Sequence, residues 1–129
     1  MRKVVLLLAG LLLLVSCGGG TQPSPRDDDG MQRTYWNNGQ LKSGARYVDG
    51  ELDGSWLIFY PNGQLAARAQ YEKGTGKQTC YNEEGCIIME VSYADNLKHG
   101  KEIHYALDGS VFQVVEYERG KKVAEINNP

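Results

Sequence analysis

The sequence is poor in the residues that usually build a hydrophobic core. After position 16, Leu, Ile, Val and Phe together account for only 19 of 113 residues. So low a content is typical of disordered chains unless other residues supply the packing. The whole chain has 129 residues, enough for one small domain, which excludes a separate catalytic domain. Its eight tyrosines and 16 glycines are the abundant residues that could supply a regular pattern instead.

Residues that could carry chemistry are few as well. His99 and His104 are the only histidines, and no further ligands stand at the spacing that a zinc site needs. No Ser or Cys lies in a nucleophile motif. Three consecutive acids, at positions 27–29, lack the alternate spacing of a calcium-binding loop. We therefore predict no catalytic site, no metal, no cofactor and no small-molecule substrate.

An excess of positive charge is also missing. Without residues 1–16 the chain keeps 12 Lys and Arg against 16 Asp and Glu, a net charge of 12 − 16 = −4. Proteins that bind nucleic acid through its phosphates usually carry a clustered excess of basic residues. The sequence thus predicts no nucleic-acid partner.

The one long apolar run lies at the N-terminus. Met1, Arg2 and Lys3 precede residues 4–15, which are apolar apart from Gly10. These twelve residues are too few for a membrane-spanning helix, which needs about 20. A short basic segment followed by an apolar run of this length is typical of a secretory signal.

The end of this run, Leu14-Val15-Ser16-Cys17, resembles the lipobox of bacterial lipoproteins. The resemblance implies cleavage before Cys17 and lipidation of Cys17, which anchors the protein in a membrane. Residues 1–16 are then a lipoprotein signal peptide, and residues 17–30 are the lipidated Cys and a flexible linker rich in Gly, Pro, Ser and Asp. We expect a bacterial cell-envelope location. In an organism with two membranes we expect the protein to be anchored in the outer membrane, facing the periplasm. The reason is that residue 18 is Gly, whereas an Asp after the lipidated Cys would resemble an inner-membrane retention signal.

A repeat of 21 to 25 residues occupies the rest of the chain, 31–129. In each of four units a Tyr is followed by a Gly and, eight residues after that Gly, by a second Tyr. Three residues later comes a residue that favours a positive φ: Gly50, Gly74, Asn96 and Gly120. We predict a turn at each of these four positions.

Between the Gly and the second Tyr of each unit, apolar and polar residues alternate. The alternation predicts β-strands with one mainly apolar face and one mainly polar face. In the second unit, Asn62-Gly63 predicts a two-residue turn that places Tyr60 opposite Leu65. In the other units, a three-residue loop places the first Tyr opposite an aliphatic residue, in the pairs Tyr35–Leu41, Tyr81–Ile87 and Tyr105–Val111.

These repeats resemble the bacterial variant of the MORN repeat, as found in YwqK-type antitoxins. The resemblance rests on residues 53–74, whose pattern Asp-Gly-Ser-Trp…Tyr-Pro-Asn-Gly…Tyr-Glu-Lys-Gly recurs four times over about residues 33–123. It implies an all-β fold, an antiparallel meander of successive β-hairpins from four MORN-variant repeats in a single-layer elongated sheet. It also implies roles in scaffolding, protein association and membrane proximity, and it carries over no catalytic residue.

An open sheet of this kind has two terminal strands that can accept a partner strand. The C-terminal segment is protected by two lysines and a terminal Pro, whereas the N-terminal segment carries only Arg33. We therefore predict partner contact at the N-terminal strand, through Gln32, Thr34 and the adjacent Trp36. For Trp36 two interpretations stay open, a partner anchor or a cap on the end of the sheet.

Cys80 and Cys86 flank the third hairpin turn, and export would allow them to form a disulfide. In the predicted register they are diagonal neighbours, with Cα atoms roughly 7–8 Å apart, beyond the usual disulfide range. A shift to a five-residue loop would bring them opposite each other, so the sequence leaves the disulfide open.

Together these features suggest a lipid-anchored cell-envelope protein that binds or scaffolds another macromolecule without catalysis. The alternative is an antitoxin-like or immunity-type neutraliser of a toxin partner. The sequence identifies no partner for either function.

Overall fold

The computed structural model describes residues 31–128, which form one open antiparallel sheet of nine strands. The predicted signal peptide, Cys17 and the linker lie outside the described residues. The strands are β1 (Met31–Tyr35), β2 (Leu41–Val48), β3 (Glu51–Phe59), β4 (Leu65–Glu72), β5 (Thr75–Tyr81), β6 (Ile87–Ala94), β7 (Leu97–Tyr105), β8 (Val111–Glu118) and β9 (Lys121–Asn127).

Each strand pairs only with its neighbours in the chain, in the order β1 to β9 without a crossover. This meander confirms the predicted fold class, all-β with successive hairpins in a single-layer sheet. Across residues 31–128, no helix has the length and apolar character needed to cross a membrane.

Two-residue turns join the strands at one end of the sheet, and all four have positive φ at both central residues. The second turn residues, with φ between 63° and 83°, are those predicted from the repeat: Gly50, Gly74, Asn96 and Gly120. Two successive positive φ angles define the type I′ turn, whose twist matches that of paired strands. Asn96 tolerates this conformation better than other non-glycine residues do, which explains why it can replace Gly.

Wider turns join the strands at the other end, and all four share one hydrogen-bond pattern. In the second of them, Tyr60 donates its backbone N–H to the Gln64 carbonyl at 2.8 Å, and Gly63 donates to the Tyr60 carbonyl at 2.9 Å. This is a type I turn closed by a glycine, Gly63, with a φ of 86°. Pro61 suits the first central position of such a turn, and the Asn62 side chain accepts the Gln64 N–H at 2.9 Å.

The predicted two-residue turn at Asn62-Gly63 is therefore wrong. Phe59, and not Tyr60, lies opposite Leu65, because Tyr60 belongs to the turn itself. The pairs predicted for the other hairpins are confirmed: Tyr35 with Leu41, Tyr81 with Ile87, and Tyr105 with Val111. All four hairpins thus have the same register, with an aromatic residue opposite an aliphatic one.

A β-bulge follows each wide turn, and the sequence analysis did not predict it. In the first hairpin, Tyr35 pairs with Leu41 but Thr34 pairs with Ser43, so that Lys42 is the extra residue. The equivalent shift recurs in the other three hairpins. An extra residue changes which side chains share a face of the sheet. The predicted assignment of side chains to the two faces is therefore more accurate for the second strand of each hairpin than for the first.

The two faces of the sheet differ in what they bury. The tyrosine face carries Tyr47, Tyr71, Tyr93 and Tyr117, and its central positions are small or branched residues that are buried: Ala45, Ala67, Ala69, Val91 and Val115. Val91 is only 1% exposed. Burial raises the pKa of Tyr71 to about 12. A single-layer sheet can bury these residues because they are short and the side chains on neighbouring strands are long.

The second face is defined by a row that crosses all nine strands. The row reads Arg33, Gly44, Leu57, Arg68, Thr79, Glu90, Ile103, Val114 and Ile126. Its two basic residues, Arg33 and Arg68, lie in the first half of the row, and its last three residues are apolar. Leu57 is buried between Gly44 and Arg68, so the second face contributes to the core although its sequence is mostly polar.

We expect replacement of Gly63 by Val to destabilise the fold. An added Cβ would meet only the Gln40 side chain, at 3.6 Å, so space is not the obstacle. A β-branched residue at a φ of 86° is strained, which should lower the free energy of unfolding by at least ~1 kcal/mol. The control is Gln64→Val, at an exposed neighbour. Equal midpoints for the two variants in urea unfolding would contradict the turn described above.

Candidate interaction surface

The N-terminal edge strand β1 is short and weakly protected. Gln32 and Thr34 are exposed and lie on the tyrosine face, opposite Ala45 and Ser43 of β2. The hydroxyl groups of Thr34 and Ser43 are 2.5 Å apart and share a hydrogen bond. Among the described strands β1 pairs with β2 alone, which makes it an edge strand of the described sheet.

Trp36, the first residue of the first wide turn, links the first hairpin to the second. Its indole N–H donates to the carbonyl oxygen of Phe59 at 3.0 Å, and the Lys42 ammonium lies 4.6 Å from its ring centre. Tyr60 has the equivalent position one repeat later and donates its hydroxyl to the Tyr81 carbonyl at 2.7 Å. The structure therefore gives Trp36 a role between the first two hairpins. A cap on the end of the sheet and contact with a partner both stay predictions.

Cys80 and Cys86 do not form the disulfide that the sequence left open, because Cys80 has a free thiol. The bulge in the third hairpin pairs Cys80 with Met89 of β6, while Cys86 lies in the turn and pairs with Asn82. Burial raises the pKa of the Cys80 thiol, although its hydrogen bond with Gln78 lowers it in part. Cys80 is therefore held as a thiol inside the tyrosine face.

The C-terminal edge strand β9 is exposed along its whole length. Val123 and Ile126 are 57% and 53% exposed. Lys122 contacts Glu125 of the same strand at 2.5 Å, and the Gln113 side chain donates to Glu125 at 3.0 Å. One of the two lysines predicted to protect this edge is thus held in an ion pair along the strand.

A buried ionic cluster lies on the tyrosine face between β6 and β8. Glu102 is 7% exposed and pairs with Val91 on one side and Val115 on the other. Its carboxylate accepts one hydrogen bond from the Lys98 ammonium at 2.5 Å and another from His104 Nε2 at 2.8 Å. Burial alone raises the pKa of Glu102, but these two hydrogen bonds outweigh burial and leave the pKa below its ordinary value of 4.5.

Sequence analysis missed this cluster because it considered His104 only as a possible zinc ligand. The bulge between His104 and Tyr105 pairs His104 with Gln113, on the tyrosine face. Alignment of the repeats could have revealed Glu102, since it occupies the position of Trp56 and Gln78. His99 lies apart from the cluster and accepts the Arg119 backbone N–H at 3.3 Å. In the described part of the chain, no three His, Cys, Asp or Glu side chains are placed to hold a metal.

Replacing Glu102 by Gln should destabilise the fold at neutral pH by roughly 1–3 kcal/mol, because a charged acceptor of two hydrogen bonds is lost. Since the pKa of Glu102 is lowered by folding, its contribution is present above its ordinary pKa and is lost as the pH falls through the folded value. The wild-type protein should therefore lose stability on acidification more steeply than Glu102→Gln.

The matched control is Glu125→Gln, at the equivalent position of β9. Glu125 is exposed although it also pairs with a lysine, so its loss should matter less. Urea unfolding from pH 7 to pH 3 tests both variants. Parallel pH profiles for the wild type and Glu102→Gln would show that the cluster does not contribute in this way.

Two adjacent segments of the chain, residues 28–49 and 52–73, match the family model of the MORN repeat variant. These segments include the first two hairpins, β1–β2 and β3–β4. No match to a curated protein is found for the chain. MORN repeat proteins are generally non-catalytic binding modules, and the two matched repeats, in a sheet whose later hairpins keep the same geometry, indicate a binding or scaffolding module.

Proposed function

We propose that this protein is a lipid-anchored, non-catalytic binding module of the bacterial cell envelope, and that it binds a protein partner at the open edge of β1. The observation that carries the proposal is an exposed edge strand with little protecting charge. Its uncharged residues Gln32 and Thr34 face solvent.

Strand addition fits the chemistry of this edge. A strand that joins a sheet gains main-chain hydrogen bonds, and its alternate side chains supply specificity. Natural edge strands are usually blocked by lysines, prolines or a covering segment. β1 has a single charged residue, Arg33, and it pairs with the buried Gly44 on the second face. Gln32 and Thr34, on the tyrosine face, would lie beside the incoming strand.

The proposed anchor would place this edge near the membrane. Residues 18–30 are 13 residues of linker composition between Cys17 and β1. A flexible chain of that length spans about 20 Å on average, so the sheet would stay close to the bilayer with β1 as the strand nearest the tether. A partner held in or near the same membrane could then reach β1 readily.

The alternative function is neutralisation of a toxin, which the resemblance to YwqK-type antitoxins favours. If this chain is exported, a toxin that it neutralises must act in the envelope or outside the cell. A cytoplasmic toxin would be out of its reach. The same β1 edge would serve as the contact surface. A gene for a toxin-type protein next to the gene for this chain would favour the neutraliser over a general scaffold.

Changing Cys17 to Ser should abolish membrane anchoring. Without the thiol there is no site for the lipid, so we expect an unprocessed precursor or a released protein. The measurement is incorporation of radiolabelled palmitate together with fractionation of membranes. Labelling of the Cys17→Ser variant would rule out the proposed anchor, and a wild-type protein that sediments with inner-membrane markers in a two-membrane organism would contradict the outer-membrane location.

Introducing lysines at Gln32 and Thr34 should weaken partner binding while the fold persists, because charged edge strands resist strand addition. The control variant carries the same two charges at exposed turn positions, Gln40→Lys and Gln64→Lys. Crosslinking in intact membranes would identify the partner, and hydrogen exchange would map where it protects the sheet. Protection confined to β9 or to residues 99–104 would refute the β1 contact.

A further inference from the structure

Strand β9 occupies the edge of the described sheet beside β8. It is equivalent to β3, β5 and β7, each of which pairs with a strand on both sides, whereas β9 pairs only with β8 among the described strands. The consequence is visible at one position. Glu102 of β7 is buried between two neighbouring strands, while the equivalent Glu125 of β9 is exposed.

The second face becomes apolar towards this edge. Its row ends with Ile103, Val114 and Ile126 on three successive strands. Ile126 lies on the edge strand itself and leaves more than half of its surface exposed. An apolar row that runs to an open edge loses solvent contact if another strand continues the sheet.

The charges of β9 are complementary to those of a second, antiparallel β9. Lys121 and Lys122 lie at the start of the strand, and Glu125 lies near its end. Antiparallel pairing of two copies sets the basic end of each strand against the acidic end of the other. Cross-strand pairs of opposite charge stabilise a sheet, and like charges directly opposite destabilise it.

The other edge lacks this self-complementarity. Arg33 is the central residue of the five-residue strand β1, so two antiparallel copies of β1 would place Arg33 against Arg33. β9 of one copy could also pair with β1 of a second copy that has the same orientation. That pair would be parallel, since all odd-numbered strands run in one direction in this meander. Only β9 against β9 keeps the antiparallel pairing and opposes unlike charges.

We propose that two copies of this chain pair through their β9 strands about a twofold axis perpendicular to the sheet. The contact is isologous and closes the assembly at two copies. It makes one continuous sheet of eighteen strands, twice the nine of a single chain, and the axis keeps the second faces of both copies on one side. Both β1 edges stay at the outer ends, so the dimer can hold two partner strands.

The test uses the full chain, extracted in detergent and analysed by sedimentation equilibrium at matched detergent density. We expect the mass of two chains for the wild type. An acidic variant, Lys121→Glu with Lys122→Glu, and a basic variant, Glu125→Lys, each set like charges across the axis. Each should raise the dissociation constant of the dimer about tenfold or more.

Mixing the two variants provides the decisive measurement. In the mixed pair residues 121 and 125 carry opposite charges across the axis, so the dimer should re-form between one acidic and one basic chain. A control with the same charge change away from β9, Lys73→Glu with Lys101→Glu, should dimerise like the wild type. Circular dichroism of each variant verifies that it is folded.

Three results would overturn the proposal: a wild-type protein that sediments as a single chain at every concentration reached, variants that dimerise as strongly as the wild type, or folded variants that do not re-form the dimer on mixing. None of these depends on a partner at β1. Failure of the dimer and failure of the proposed function are therefore separate outcomes.

Discussion

The register of the hairpins is the constraint on which the rest of this structure depends. A side chain in a strand changes face with every residue, so a shift of one residue would turn the buried row of Ala and Val residues outward. Two kinds of turn prevent this shift. Type I′ turns with positive φ at Gly50, Gly74, Asn96 and Gly120 close one end of the sheet, and wide turns with one shared hydrogen-bond pattern close the other.

With the register set, a single layer can form a core without many large aliphatic residues. The buried residues on the tyrosine face have short side chains. Longer side chains on the adjoining strands, such as those of Trp56, Gln78 and Glu102, flank them. Glu102 shows how far this arrangement tolerates polar residues. Its carboxylate is buried, yet Lys98 and His104 satisfy it with hydrogen bonds. A half-satisfied group at the same place would be costly.

The same architecture explains where interactions can occur. Side chains and turns inside the meander mostly serve the fold; the Trp36 indole and the Tyr60 hydroxyl, for example, connect one hairpin to the next. The two edge strands differ from the interior because each has backbone groups facing away from the sheet. Their chemistry also differs, since β1 is short and nearly uncharged whereas β9 is longer and carries both signs of charge. Our two proposals use this difference: they put the partner strand at β1 and the second copy at β9.

The sequence by itself determined the number of hairpins, the meander and the positions of positive φ, because each depends on local alternation and on residues such as Gly and Asn that favour particular backbone angles. It also predicted that the N-terminal segment forms a terminal strand, and β1 is the first strand of the described sheet.

Only the tertiary structure decided the bulges, the pairing of Phe59 rather than Tyr60 with Leu65, the separation of Cys80 from Cys86, and the contact between Glu102 and His104. The physical reason is shared by all four. Each depends on the extra residue that follows a wide turn, which shifts the pairing of the strands and the side chains that meet across them. That shift is not visible in the alternation of a single strand.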